Sequence, residues 1–242
     1  MLDFLSQVDA DIFIFFNHSI RCEFMDKMMM LFTGRFIWVP MYAAILMIFA
    51  RSQRWKVLVA MIAALVLAIT LTDQTCATLI RPYVERLRPS NLENPLSAMT
   101  MIVDDYRGGS YGFPSCHAAN SFALAVFMIL AVRKRAFTAF ILGWAIINSY
   151  SRLYLGVHYP GDLIVGALIG SAFGALCFYA AARLLRTERD NYRASLSQPL
   201  LMLPVGVQIS PALHIRAIPL TADRLMMAIG LLTAAIIIIL SI

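Results

Sequence analysis

The chain has 242 residues, of which 60% are hydrophobic and 14% charged, and its mean hydropathy is +0.75. Soluble domains average about 45–50% apolar and about 25% charged residues. This composition therefore excludes a soluble globular enzyme, a disordered chain and a disulfide scaffold, and it points to one bundle of membrane helices. The net charge of +6 would suit a nucleic-acid partner. Most Lys and Arg residues, however, stand in short clusters between apolar segments, as in the loops of membrane proteins, and no nucleic acid is expected. Cys22, Cys76, Cys116 and Cys177 are scattered without a CxxC pair, which offers neither a metal site nor a disulfide framework.

In chain order, the opening MLDFLSQVDAD is acidic where a cleavable signal needs a basic start. Residues 8–16 are apolar but too short to span, so residues 1–23 read as an interfacial segment. A bilayer core takes about 20 helical residues. Apolar runs at 36–50, 57–80, 117–132, 136–150, 163–185 and 225–242 predict six spans, the shorter ones extended by their flanks and the first by residues 24–35. Residues 24–189 would form a catalytic bundle. Pro204, Pro211 and Pro219 make 190–224 an irregular linker before the final span. The expected fold is an all-α integral membrane bundle of about six transmembrane helices with a short N-terminal interfacial helix.

Orientation follows from charge. Arg51, Arg54 and Lys56 follow the first run, Arg133, Lys134 and Arg135 the third, and Arg183, Arg186, Arg189 and Arg193 the fifth. Basic residues in short loops resist translocation, so this face is expected in the cytoplasm, and residues 81–114 and 151–162 on the periplasmic or extracellular side of an inner membrane. That outer face holds three polar constellations. They are Arg81-x6-Arg88-Pro89, Pro114-Ser115-Cys116-His117, and Ser151-Arg152-x5-His158-x3-Asp162.

These residue types suit phosphoryl chemistry. Guanidinium forks match phosphate oxygens and stay charged at any relevant pH. Ser115 opens a helix, where free N–H groups and the helix dipole favour an anion. Two imidazoles can divide nucleophilic attack from protonation of the leaving group. Asp162, four residues after His158, can accept from one ring nitrogen and leave the other free to attack. With no carboxylate cluster to hold Mg²⁺, the arginines would supply the charge stabilisation, and neither metal nor cofactor is expected.

The three constellations resemble the signature of the type 2 phosphatidic acid phosphatase superfamily, K-x6-RP, PSGH and SR-x5-H-x3-D, over roughly residues 24–185. The resemblance implies a metal-independent membrane lipid phosphatase working through a phosphohistidine. It implies His158 as nucleophile, Asp162 as its orienter and His117 as general acid. Arg81, Arg88, Ser115, Cys116 and Arg152 would hold the phosphate. Two positions depart from the pattern. Arg81 replaces the usual Lys, and Cys116 replaces Gly, which is tolerable unless that residue needs a positive φ. Cys116 as a cysteine-phosphatase nucleophile would call for an Arg six residues on, where Phe122 stands.

Undecaprenyl diphosphate is the first-choice substrate, with lipid A phosphates, phosphatidylglycerophosphate and phosphatidic acid as alternatives. A phosphotransferase and a non-enzymatic lipid-phosphate transporter are the rival activities. Among lesser features, Gly166, Gly170 and Gly174 form overlapping GxxxG steps suited to close helix packing. Asp73 is an intramembrane carboxylate placed to pair with Arg81. Arg86 and Arg107 read as snorkelling anchors, and Tyr154 and Tyr159 as interfacial aromatics.

Overall fold

The computed structural model describes residues 2–19, 21–34, 36–197 and 220–242. Among these, the regular structure is helical, with one isolated antiparallel bridge between Leu87 and Tyr111. The helices are α1 (Leu2–His18), α2 (Glu23–Phe32), α3 (Val39–Ser52) and α4 (Trp55–Gln74). A π-helical turn (Thr75–Ile80) leads from α4 into the short α5 (Arg81–Val84). After a long loop come α6 (Cys116–Val132), α7 (Arg135–Tyr154), α8 (Pro160–Ser197) and α9 (Leu220–Ser241). Three stretches, Trp55–Val84, Pro160–Thr187 and Arg224–Ser241, are long and apolar enough to cross a membrane, and Val39–Ser52 and Cys116–Val132 are shorter apolar helices.

The tightest packing is between α6 and α8, and small residues permit it. A Cβ added to Gly166, Gly170 or Gly174 would collide with the backbone carbonyl of Ser115, Ala119 or Ala123 respectively. The glycine steps therefore bring α8 against the α6 backbone, the close packing their spacing suggests. This contact sets the α8 N-terminus beside the α6 N-terminus. Around it, Phe127, Met128, Phe137, Ile141 and Phe178 fill a core shared by α6, α7 and α8.

Several boundaries differ from expectation. Residues 24–35 do not continue the first span. The α2 helix stops at Phe32, and the chain turns before α3, whose first turn contains Pro40. The Trp38 indole N–H donates to the Phe32 carbonyl across the break at 2.9 Å. The α8 helix continues through Ser197, so 190–197 is helical rather than linker, while 198–219 lies outside the described residues. The α9 helix begins five residues before the expected final span and packs on α2, α3 and α7. The alternation of helices gathers Arg51, Arg54, Lys56, Arg133, Lys134, Arg135, Arg183 and Arg186 at one end. The 85–115 loop and the α7–α8 turn lie at the other.

Candidate active site

Local sequence explains why the motif residues meet. Ser115 caps α6, its hydroxyl accepting from the Ala118 N–H at 3.4 Å. The α7 helix carries Arg152 in its last turn and ends at Gly156, whose φ of +78° favours a residue without a Cβ. Here a Cβ would also strike Thr100 at 2.7 Å. The tight turn delivers Val157 and His158, and α8 then starts at Pro160 with Asp162 in its first turn, the usual places for a proline and an acid. The two helix starts are tied directly, the Ser115 N–H donating to the Asp162 carbonyl at 3.0 Å.

His158 is 2% exposed and Asp162 is fully buried. The His158 Nδ1 lies 3.2 Å from Asp162 Oδ2, and its Nε2 lies 2.9 Å from Arg88 Nη1. A guanidinium can only donate. Nε2 therefore carries the lone pair, and Nδ1 carries the hydrogen donated to Asp162. Burial, followed by the fields of Arg88, Arg152 and Arg81, holds the His158 pKa well below the usual 6.5, which keeps the ring neutral. Arg88 also donates to the carbonyls of Tyr111 and Val157, both at 3.1 Å. Burial, then the nearby Arg152 and Arg81, pushes the Arg88 pKa down to about 10, so it stays cationic at neutral pH.

The other motif residues surround this pair. The Arg152 guanidinium donates to Thr33 Oγ1 at 2.9 Å and to the Tyr106 hydroxyl at 3.0 Å. His117 is half-buried and donates from Nε2 to the Thr33 carbonyl at 3.2 Å. Arg81 Nη2 donates to the Pro114 carbonyl and to Cys116 Sγ, each at 3.0 Å. Ser115 has spent its N–H on the Asp162 carbonyl and accepts the cap bond through its hydroxyl oxygen, which leaves the hydroxyl hydrogen to offer an anion. Cys116 sits in α6 without a positive φ, so a side chain in place of glycine brings no backbone strain there.

Four readings of lesser residues need correction. Arg86 is no snorkelling anchor. It donates to Asp162 Oδ1 at 2.9 Å and to Asp9 Oδ2 at 2.7 Å, with its guanidinium 3.9 Å above the Tyr159 ring. Arg107 is likewise committed, to Asp105 and the Ser90 carbonyl. Tyr154 and Tyr159 are buried rather than interfacial, the Tyr154 hydroxyl donating to Asp26 and the Tyr159 hydroxyl accepting from Asn94. Asp73 accepts from Asn120 at 3.2 Å instead of pairing with Arg81. The π turn between them directs Arg81 to the α6 N-terminus.

Other residues join the site without any motif. Asp9 on α1 accepts from the Gly161 N–H at 2.8 Å as well as from Arg86, so α1 braces the start of α8. Asn17, also on α1, donates to the Tyr154 carbonyl at 2.9 Å and accepts from the Met101 N–H at 2.8 Å. Thr33 bridges Arg152 and His117. Gly112 leaves just enough room for the dyad, since a Cβ there would lie 3.1 Å from Asp162 Oδ2. Below the site a cavity of about 680 Å³ runs from Cys116 and His117 between α3, α4 and α6 to Phe49, Phe127 and Met128. Leu46, Ile62 and Val66 line it and are also exposed on the outside of the bundle.

The arrangement is a neutral, oriented imidazole facing three guanidinium groups, with a second imidazole at the mouth of an apolar cavity. Such a site can bind a phosphate on an apolar molecule and transfer it. The family model of the PAP2 superfamily matches residues 53–186, and the chain belongs to that superfamily. It is 48% identical to the lipid A 4'-phosphatase of Bacteroides thetaiotaomicron over 212 residues, 86% of this chain and 94% of the relative. It is 34% identical to the undecaprenyl-diphosphatase of Sulfolobus acidocaldarius over 137 residues, 56% of this chain and 59% of that one. Among solved structures, Aquifex aeolicus LpxE shares the fold, with a TM-score of 0.51 at 23% identity over 70% of this chain and 94% of that chain.

Proposed function

We propose that this lipid phosphatase removes a phosphate monoester from a lipid A-type phosphoglycolipid at the outer face of an inner membrane, through a phosphohistidine. The observation that carries the mechanism is the fixed tautomer of His158, with Nδ1–H on Asp162 and the Nε2 lone pair facing Arg88. Similarity of 48% over 86% of the chain to a lipid A 4'-phosphatase supports the substrate class better than undecaprenyl diphosphate, whose named hydrolase matches little more than half the chain. Six membrane crossings, α3, α4 with α5, α6, α7, α8 and α9, complete the reading, with the basic end of the bundle in the cytoplasm.

Each step uses a group already in place. Arg88 turns from Nε2 onto the phosphate, joined by Arg81, Arg152, the Ser115 hydroxyl and the free N–H groups of the first turn of α6. Nε2 attacks phosphorus and the P–O bond to the sugar breaks. The electron pair leaves on the sugar oxygen, which takes a proton from His117. The positive charge that grows on the His158 ring is stabilised by Asp162. Water, deprotonated by His117, then attacks phosphorus. The P–N bond breaks, inorganic phosphate leaves and the His158 lone pair returns. The cavity beneath His117 takes part of the lipid tail.

The test is phosphate release by purified protein in detergent from a glucosamine-based 4-phosphate lipid and from undecaprenyl diphosphate. Faster turnover of the glycolipid phosphate supports the reading. Hydrolysis of undecaprenyl diphosphate alone overturns it.

A further inference from the structure

The cavity below the site is apolar over most of its wall, yet a group of polar side chains interrupts that wall below Cys116 and His117. They are Asp73 on α4, Asn120 and Ser121 on α6, and Trp144 and Asn148 on α7. Two hydrogen bonds link them in pairs, Asn120 Nδ2 to Asp73 Oδ1 at 3.2 Å and Asn148 Nδ2 to Ser121 Oγ at 2.8 Å. Polar bonds of this kind hold membrane helices together, and that would account for the two bonds made. It does not account for what is left over. Asn120 Oδ1, Asn148 Oδ1 and the Trp144 indole N–H are buried and have no partner, and Asn148 and Trp144 are 6% and 5% exposed. In a bilayer interior such a group has no water to turn to, and leaving it unpaired is costly.

Their depth is defined by the helices that carry them. Asn120 and Ser121 lie three and four residues past His117, and Asn148 and Trp144 lie four and eight residues before Arg152. At 1.5 Å of rise per residue, the belt sits about 5–12 Å below the phosphate-binding groups. On α7 the spare acceptor of Asn148 and the spare donor of Trp144 are four residues apart, on one face. A hydroxyl both donates and accepts, and it would satisfy the two together. An unsubstituted alkyl or polyprenyl chain would leave both unpaired.

We propose that this belt selects a lipid whose acyl chain bears a hydroxyl a few carbons from its point of attachment. The inference rests on the glycolipid substrate reading above and adds a second point of recognition, in the tail rather than the phosphate. Asn148 Oδ1 accepts from the hydroxyl and the Trp144 N–H donates to it, while Asp73 and Asn120 close the opposite wall.

The test compares two synthetic glucosamine 4-phosphates, one with 3-hydroxytetradecanoyl chains and one with tetradecanoyl chains, using the purified full chain in detergent. Wild type is expected to favour the hydroxylated lipid in kcat/KM by at least about tenfold, the scale of leaving a buried polar group unpaired. In Asn148→Leu and Trp144→Phe that preference falls to about twofold or less. Trp144→Phe keeps the ring and loses only the N–H, so it decides the matter should Asn148→Leu not fold. Equal turnover of the two lipids by wild type, or an undiminished preference in Trp144→Phe, overturns the tail proposal and leaves the substrate reading standing. Hydrolysis of undecaprenyl diphosphate but of neither glucosamine phosphate overturns both.

Discussion

His158 and His117 place the same ring in two different settings at the end of one bundle. His158 is sealed in by hydrogen bonds: Asp162 on one nitrogen, Arg88 on the other, with Asp162 braced by Arg86 of the long loop, itself held by Asp9 of α1. His117 is half-buried at the mouth of the cavity and leans on Thr33, a residue at the end of α2. The contrast matches the two roles proposed for them. A nucleophile must keep its tautomer and direction before phosphate arrives, and fixed neighbours provide that. A proton donor must reach a leaving oxygen whose position depends on the bound lipid, so it belongs where the substrate enters.

If the contrast holds, the two histidines fail differently. His158→Ala should lose phosphate release by about a thousandfold or more, and with it any phosphoenzyme. His117→Ala should lose about 10²–10⁴-fold on a lipid alkoxide leaving group, yet still form the phosphoenzyme from a p-nitrophenyl phosphate ester, whose leaving group needs no proton. Burst kinetics of nitrophenol release separate the two. Equal loss of the burst in both variants would erase the distinction.

The bracing of Asp162 is next in size. Arg86→Ala should lower kcat by about 10–100-fold, the scale seen when a residue that orients a metal-ligating histidine is lost, with KM nearly unchanged because Arg86 is held by Asp162 and Asp9. Arg86→Lys should recover part of kcat. A variant that raises KM and leaves kcat intact would make Arg86 a binding residue instead.

A smaller effect concerns pH. His158 titrates in the folded protein well below its unfolded value of about 6.5. Below pH 6.5 the unfolded chain therefore binds the extra proton, so stability falls as pH drops through that value and is fully present above it. Thermal unfolding of wild type should weaken between pH 7 and 5 more steeply than that of His158→Asn. Parallel curves would mean that His158 is not held neutral by burial. Smallest of all should be the effect of EDTA. With Arg81, Arg88 and Arg152 supplying the charge, activity should change by less than about twofold, and a loss restored by Mg²⁺ would contradict that.

That the motif residues meet was readable in the sequence because each part lies at a helix end with a fixed local spacing. His158 and Asp162 are four apart across the start of α8, and Ser115 and His117 open α6, so helical geometry alone suggests their relation. The three constellations could be joined because apolar runs place them on one face. Asp9, Asn17, Thr33, Tyr106 and Gly112 were not readable. Each acts through a contact dozens of residues away, and none lies in a periodic pattern. Arg86 was visible but misread, since the partner that lifts it from anchor to brace, Asp9, is 77 residues earlier. The break between α2 and α3 escaped for another reason. Apolar residues stand on both sides of it, and Gly34, Arg35 and Pro40 are too slight an interruption to separate a turn from a continuing span.

The central claim is that phosphate passes through Nε2 of His158. Its most direct test is to quench His117→Ala during turnover of a p-nitrophenyl phosphate ester under alkaline conditions, which preserve phosphohistidine, and to map the modified peptide by mass spectrometry. One phosphoryl group on the peptide containing His158, absent from His158→Ala, is the predicted result. A phosphoryl group on Cys116, or turnover by His158→Ala at the wild-type rate, would contradict the account.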